Sequence, residues 1–366
     1  MPGWTGLRGI VKSSMAYDYG LMKRLSEVAG IPGREERVRE LIRAELGELA
    51  SGAVTDAMGN LIVTVKGPEG APTVLVSAHM DEIGFVIRHI DSDGFIRVQN
   101  LGGFDTRNLF ARFVTVHGRG GNERTGVLHP GVKPIHISTP EERNRLPEVH
   151  DFVVDLGLPA ETVKAEFRIG DMVTLQQPFQ DLGEVISGKA LDDRTGCWIL
   201  VHALKQLDNP QVTVIGMFST QEEVGLRGAT VGAFSQKPDL GIALDTTLAV
   251  DTPGTPDHLS VTRLGEGVGI KVSDSSAISN GWLVDAMADL AAEHGIRHQF
   301  EVLPRGGTDA GGIQRSRGGV ASVTLSTPSR YVHTVTEMVA KGDLESTVRL
   351  LVEFLQSDAY SRSPAG

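Results

Sequence analysis

The sequence predicts a layered α/β protein, with helices on both faces of a sheet, into which a small β-rich domain is inserted. Three observations lead to this fold class. Toward both ends of the chain, apolar runs alternate with helical patterns, which is typical of α/β layers. The middle of the chain instead has short strand patterns separated by turn residues. With 366 residues, the chain also exceeds the usual size of one hydrophobic core, so we expect two domains.

The α/β part is predicted from segments at both ends of the chain. Five short apolar segments have the length of strands, and they cover residues 61–65, 73–77, 212–218, 240–244 and 320–325. Four segments repeat apolar residues at helical spacing, and they cover residues 35–49, 194–207, 282–294 and 344–355. The glycines and the proline of residues 30–35 predict a loop that leads into the first of these helices.

The middle of the chain has a different pattern. Short strands are predicted at residues 85–90, 94–99, 113–117, 125–128 and 171–175. The only helical segments we expect among them are short ones at residues 140–145 and 160–165. This pattern is typical of a small barrel or sandwich. We therefore expect a discontinuous α/β domain of residues 1–83 and 181–366, with a barrel-like insert of residues 84–180.

Composition excludes several classes of function. The formal net charge of −11 offers no basic surface for nucleic acid, and no stretch is long and apolar enough to span a membrane. Cys197 is the single cysteine, which excludes an intramolecular disulfide framework, and its apolar neighbours indicate a buried structural thiol. Without a signal peptide, the chain is predicted to be cytoplasmic. Residues 1–14 are expected to be an irregular extension, with Met15 as a second candidate start.

Five segments carrying His, Asp or Glu come at or just after apolar strands or beside turns, at residues 77–84, 190–196, 219–225, 243–247 and 329–334. In open α/β sheets, ligands bind at the carboxyl ends of the strands. Imidazoles and carboxylates without thiolates favour zinc, cobalt or manganese, and a carboxylate can bridge two metals about 3.5–4 Å apart. Each signal alone has an ordinary explanation, such as Asp193 capping a helix that begins near Arg194. Their joint occurrence indicates a two-metal site.

The order of these motifs resembles the M42 family of metallo-aminopeptidases, and the likeness runs nearly end to end. It rests on the loop at residues 30–35 and on the motifs His79-Met80-Asp81-Glu82-Ile83-Gly84, Glu222-Glu223-Val224-Gly225, Gly306-Gly307-Thr308-Asp309-Ala310 and Arg330-Tyr331-Val332-His333-Thr334. The resemblance implies an αβα metallopeptidase domain that acts on the free amino ends of peptides. It also implies two divalent metal ions per subunit, Zn²⁺ or Co²⁺, with Mn²⁺ as a further candidate.

The resemblance also implies which residues hold the metals. Asp192 resembles the carboxylate that bridges them. His79 and Asp245 would complete one metal site, and Glu223 and His333 would complete the other. None of these positions is missing or altered, so the resemblance implies an active enzyme.

Two further residues match catalytic positions of the family. Asp81 matches a carboxylate that accepts a hydrogen bond from the imidazole of His79 and fixes its tautomer. Glu222 matches the general base, which would take a proton from a water bridging the metals and deliver it to the leaving amine. The glycine-rich residues 305–312 are expected to wrap close to the substrate, because glycine allows near approach of the backbone.

Several alternatives remain open at this stage. A carboxypeptidase, dipeptidase or deacylase can be built on the same two-metal core, and a non-catalytic homologue can retain a metal. We expect a preference for uncharged aliphatic amino-terminal residues, and Arg305 and Glu266 are the charged residues that could change it. In the resembled family the insert dimerises, and six dimers close into a hollow tetrahedral dodecamer. A dimer is the simpler alternative.

Overall fold

The computed structural model describes residues 17–362, and it combines a large mixed sheet with a closed barrel. Its helices are α1 (Tyr19–Glu27), α2 (Glu36–Leu46), α3 (Pro140–Asn144), α4 (Ala160–Glu166), α5 (Leu191–Gln206), α6 (Arg227–Gln236), α7 (Gly281–Glu293), α8 (Asp309–Gln314) and α9 (Lys341–Gln356). The extension predicted at residues 1–14 and the candidate start Met15 lie outside the described residues.

The strands belong either to the large sheet or to the barrel. Those of the large sheet are β1 (Val54–Thr55), β2 (Leu61–Val65), β3 (Thr73–His79), β10 (Gln180–Asp181), β11 (Val185–Gly188), β12 (Thr213–Ser219), β13 (Leu240–Leu248), β14 (Val268–Ser273), β15 (His298–Val302), β16 (Ala321–Arg330) and β17 (Glu337–Ala340). Those of the barrel are β4 (Gly84–Ile90), β5 (Ile96–Leu101), β6 (Arg112–His117), β7 (Glu123–Pro130), β8 (Phe152–Asp155) and β9 (Met172–Leu175).

Four parallel strands form the centre of the large sheet. They lie in the order β12-β3-β13-β16, and every neighbouring pair among them is parallel. Parallel strands have their carboxyl ends at the same edge of a sheet. The end of β3 at His79 is therefore level with the end of β12 at Ser219, its partner in the register. The segments that follow these strands therefore begin at the same edge of the sheet.

Both faces of the sheet are covered, as the apolar character of its central strands predicts. Along β3, Val74 and Val76 belong to the larger core, which also contains apolar residues of α1, α2, α5, α7 and α9. Leu75 points to the opposite face and joins a smaller core with residues of α6 and α8. This alternation follows from the two-residue period of a strand. The predicted layered α/β class is confirmed.

The β-rich middle of the chain forms a closed barrel with the strand order β4-β5-β8-β7-β6-β9. Its separate core contains Phe85, Val116, Phe152 and Val173. All of its strands fall within residues 84–175, and the barrel-like insert expected from the sequence is confirmed. The boundaries at residues 84 and 180 remain a prediction. In the described part of the chain, no helix is both long and apolar enough to cross a membrane.

The helix predicted at residues 194–207 begins as expected. Asp192 and Asp193 have non-helical backbone angles, and the Asp193 carboxylate accepts a hydrogen bond from the amide of Gly196 at 2.9 Å. A side chain that caps the third helical residue is the usual N-cap arrangement, so Asp193 caps α5 as predicted. Cys197, in the first turns of this helix, is buried and donates its thiol proton to the carbonyl oxygen of His79. It is the structural thiol that the sequence indicated.

Candidate metal centre

Asp192 lies at the middle of a cluster of acidic residues and imidazoles at the carboxyl edge of the sheet. Its Oδ1 is 3.3 Å from Nε2 of His79, and its Oδ2 is 3.4 Å from Nε2 of His333. The same nitrogen of His333 is 3.3 Å from Oε1 of Glu223. Ligand atoms of His79, Asp192 and Glu223 all lie within 4.8 Å of one another. Asp245, on β13, lines a cavity beside this cluster, together with Asp192, Glu223 and His333. The structure thus brings together the five residues that the sequence suggested as ligands.

The two adjacent glutamates reach this cavity together because strand β12 has already ended. In a strand, neighbouring side chains point to opposite faces. Here β12 stops at Ser219, and Gln221 follows with a φ of +57°. A turn then begins at Glu222, whose carbonyl oxygen accepts hydrogen bonds from the amides of Gly225 and Leu226. Glu222 and Glu223 both line the cavity, and Oε2 of Glu222 lies 3.9 Å from Nε2 of His79.

The backbone of this turn is held by Asp81, which is fully buried. Its Oδ1 accepts a hydrogen bond from the amide of Glu222 at 3.0 Å, and its Oδ2 accepts one from the amide of Glu223 at 3.1 Å. Nδ1 of His79 is 3.0 Å from the carbonyl oxygen of Asp81 and 3.5 Å from its carboxylate. The carbonyl is thus the nearer acceptor for the imidazole, and the carboxylate fixes the two glutamates.

Glu35 and Glu337 contribute to the same region and were missed by the sequence analysis. Oε1 of Glu35 accepts hydrogen bonds from the amides of Gly33 and Gln221. Oε2 of Glu337 accepts one from the amide of Asp192 at 3.0 Å, and its Oε1 accepts one from the amide of His333 at 2.8 Å. No local pattern could identify Glu337, because Asp192 lies 145 residues away in the chain.

The charges of the cluster are unbalanced. Burial raises the pKa of Glu222 and of Asp245 well above the usual range, and neighbouring carboxylates add to both shifts. Burial also opposes the charged form of His333, but the adjacent carboxylates of Asp192 and Glu223 raise its pKa to about 12. Oε1 of Glu223 is buried and lies 3.3 Å from Nε2 of His333, without a hydrogen bond of good geometry. More carboxylates than imidazoles, a poorly satisfied carboxylate oxygen and a set of nitrogen and oxygen donors together fit divalent cations.

The cavity beside this cluster has a volume of about 520 Å³. Apolar side chains also line it, those of Leu226, Leu248, Leu303 and Val332. Arg305, Gly306 and Gly307 of the predicted glycine-rich segment also line it. A Cβ on Gly307 would come within 2.8 Å of the Cβ of Ser276, so glycine is required for this close approach.

Asp309, in the same glycine-rich segment, does not line the cavity. Its Oδ2 accepts hydrogen bonds from the hydroxyls of Ser77 and Ser219, both at 2.5 Å. Ser77 is in β3 and Ser219 is the last residue of β12, so this buried carboxylate joins two central strands behind the cavity.

Comparison with known proteins shows similarity over most of the chain. A family model described as M42 glutamyl aminopeptidase matches residues 59–350. The lysyl aminopeptidase of Pyrococcus furiosus is 35% identical over 348 residues, which cover 93% of this chain and 97% of that protein. The glutamyl aminopeptidase of Lactococcus lactis is 31% identical over 349 residues, which cover 93% of this chain and 94% of that protein. Among solved structures, the TET1 peptidase of Pyrococcus horikoshii superposes with a TM-score of 0.82 at 33% identity, covering 92% of this chain and 98% of that one.

Proposed function

Because the chain belongs to the M42 family and is therefore an aminopeptidase, a hydrolase of peptide bonds, we propose that it releases amino-terminal residues from short peptides at a two-metal centre. Enzymes of this family depend on metal. The observation that carries the proposal is the position of Asp192. Each of its carboxylate oxygens faces a different imidazole, at 3.3 Å and 3.4 Å. A carboxylate placed in this way suits a ligand shared by two metals.

In this proposal His79 and Asp245 complete one ligand set, and Glu223 and His333 complete the other. The 3.3 Å distance between Nε2 of His333 and Oε1 of Glu223 supports the second pair. The donor types favour Zn²⁺ or Co²⁺, with Mn²⁺ as the alternative. When bound, such metals polarise the scissile carbonyl and lower the pKa of water.

The remaining steps belong to residues of the chain. Glu222 acts as the general base: its carboxylate takes the proton of the attacking water and passes it to the leaving amine. Asp81 orients Glu222 by accepting its amide hydrogen bond. The cavity walls exclude bulk water and receive the first side chain of the peptide. A metal-loaded cluster would also hold the free amine of the peptide, which would restrict cleavage to the first residue.

Substitutions of the two adjacent glutamates are expected to differ in their effects on metal content and turnover. Glu222→Gln keeps size and polarity but cannot carry the proton, so both metals should stay while kcat falls by about 10²–10⁴. Glu223→Gln removes a charged ligand, so metal content and rate should fall together. Metal analysis of each purified variant beside its turnover of leucine p-nitroanilide measures both effects.

Each variant serves as the control for the other. If Glu222→Gln loses metal while Glu223→Gln retains it, the two roles are exchanged. If neither change alters metal content or turnover, the two-metal proposal is wrong for this segment.

Asp81→Asn should lower metal affinity or turnover by about 10–100-fold, the usual cost of losing a carboxylate that orients metal ligands. The amide group of asparagine turns an N–H donor toward the amide of Glu222 or Glu223. Asp91→Asn is a matched control, since Oδ1 of Asp91 accepts the amides of Asp93 and Phe95 in a turn of the barrel. Unchanged metal content and turnover in Asp81→Asn would make Asp81 an ordinary turn residue.

Uncharged aliphatic residues are the proposed substrates, because four apolar side chains line the cavity beside the acidic cluster. Leucine p-nitroanilide should be hydrolysed faster than the glutamate or lysine compounds, in a panel assayed with zinc, cobalt and manganese. Faster release of glutamate would overturn this preference and assign Arg305 as its counter-ion. N-acetyl-leucine p-nitroanilide is the control, and its cleavage would favour the deacylase or dipeptidase alternative.

Self-association through the insert, residues 84–180, is proposed for the quaternary structure. Phe113 and Val127 pair across β6 and β7 and are 59% and 41% exposed, and Ile135 and Ile137 nearby in the chain are 63% and 70% exposed. Exposed apolar side chains such as the cross-strand pair Phe113 and Val127 fit an interface. The TET1 relative can assemble into a tetrahedron or a large octahedral shell, which supports a dimer that builds a tetrahedral dodecamer here.

Light scattering on the metal-replete protein should give the mass of twelve subunits of 39.2 kDa each. Phe113→Asp places a charge in the apolar patch and should lower this mass. Phe234→Asp is the matched control, since Phe234 is 61% exposed on α6 of the large domain. A wild-type monomer of 39.2 kDa would refute self-association, and a stable dimer would limit it to the pairing of two inserts.

A further inference from the structure

The carboxylate of Glu337 joins two distant parts of the candidate centre. Glu337 is 2% exposed and is the first residue of β17. One of its oxygens accepts the amide of Asp192, and the other accepts the amide of His333. Building on the proposed two-metal centre, we infer that Glu337 is a positioning residue: its carboxylate sets the distance between the segments that carry Asp192 and His333.

Both amides need such an acceptor. His333 has a φ of +62°, in the left-handed region that a residue with a side chain occupies only when its surroundings hold it there. Asp192 lies at the start of α5, where the backbone is not yet helical, and its amide has no carbonyl partner within that helix. Without Glu337, the buried amide of Asp192 would have no acceptor, and the partly buried amide of His333 would lose its hydrogen bond. A buried donor without an acceptor costs more than an ordinary hydrogen bond is worth.

The same two residues also meet through their side chains. Nε2 of His333 is 3.4 Å from Oδ2 of Asp192 at the cluster. Glu337 thus joins the pair on the backbone side, and on the side-chain side the same two residues would hold the proposed metals. Within residues 17–362, no lysine or arginine forms an ion pair with Glu337, and Lys189 nearby is paired with Glu82 at 2.6 Å. Both carboxylate oxygens of Glu337 are thus engaged by the two amides.

Asp343 offers a matched control for the same chemistry. It is 1% exposed, and its two oxygens accept the amides of Gly265 and Gly267, both at 2.8 Å. It lies in the first turn of α9 and does not line the cavity of the candidate centre. Asp343→Asn therefore removes one buried carboxylate that accepts two amides, as Glu337→Gln does, without touching the segments of Asp192 and His333.

The test is a titration of the metal-free proteins with Co²⁺, followed by visible absorption, beside thermal unfolding of the same metal-free samples. Glu337→Gln and Asp343→Asn should both lower Tm. Glu337→Gln should also weaken Co²⁺ binding by about 10–100-fold, the usual effect of a residue that orients metal ligands. Asp343→Asn should bind Co²⁺ as tightly as the wild type.

Wild-type Co²⁺ affinity in Glu337→Gln, or an equal loss in both variants, would overturn the inference and leave the proposed function standing. A wild-type protein that binds no Co²⁺ would refute the metal centre itself, and the inference with it. If Glu337→Gln does not fold, Glu337→Asp replaces it. Aspartate keeps both acceptor oxygens on a shorter arm that cannot span the two amides unless the backbone moves, so its Co²⁺ affinity must also fall, and an unchanged affinity would overturn the inference.

Discussion

Gathering many carboxylates in one buried place is the constraint on which the rest of this structure depends. Ionised carboxylates without partners are costly to bury. Those that face the cavity, such as Asp192 and Glu223, are balanced only in part by two imidazoles. Those behind it, Glu35, Asp81 and Glu337, accept backbone amides of the loops that carry the facing residues. The carboxylates behind the cavity are therefore stabilised by the same hydrogen bonds that position the carboxylates facing it.

The sheet makes this arrangement possible. Four parallel strands end at one edge, and their loops can converge there without long connections. Asp309 fastens two of these strands behind the site through the hydroxyls of Ser77 and Ser219. After β12, Gln221 with its positive φ redirects the chain, and the two glutamates that follow bring their side chains into the same cavity. The chemistry of the site thus rests on ordinary rules of strand direction and side-chain alternation.

The features that could be predicted from the sequence are those with a pattern in a short stretch of chain, and those missed depend on contacts between distant residues. The central strands and the helix capped by Asp193 carry local patterns, and these were predicted close to their observed bounds. Helix α6 was missed because its sequence, RGATVGAFSQ, has no apolar periodicity. Strand β8 was missed because only four residues form it and their partners are in β5 and β7. Glu35 and Glu337 were missed for a similar reason, since their roles depend on amides that only the folded chain brings near.

The barrel and the candidate centre are connected more closely than their separate cores suggest. Only four residues separate His79, at the end of β3, from Gly84, at the start of β4. After β5 the chain returns to the centre: a Cβ on Gly102 would lie 3.3 Å from Oε2 of Glu223, and one on Gly103 would lie 3.5 Å from Nδ1 of His333. Gly102 also has a φ of +88°, so a side chain there would be excluded by both conformation and space. The chain that leaves the barrel after β5 is thus part of the wall around two proposed ligands.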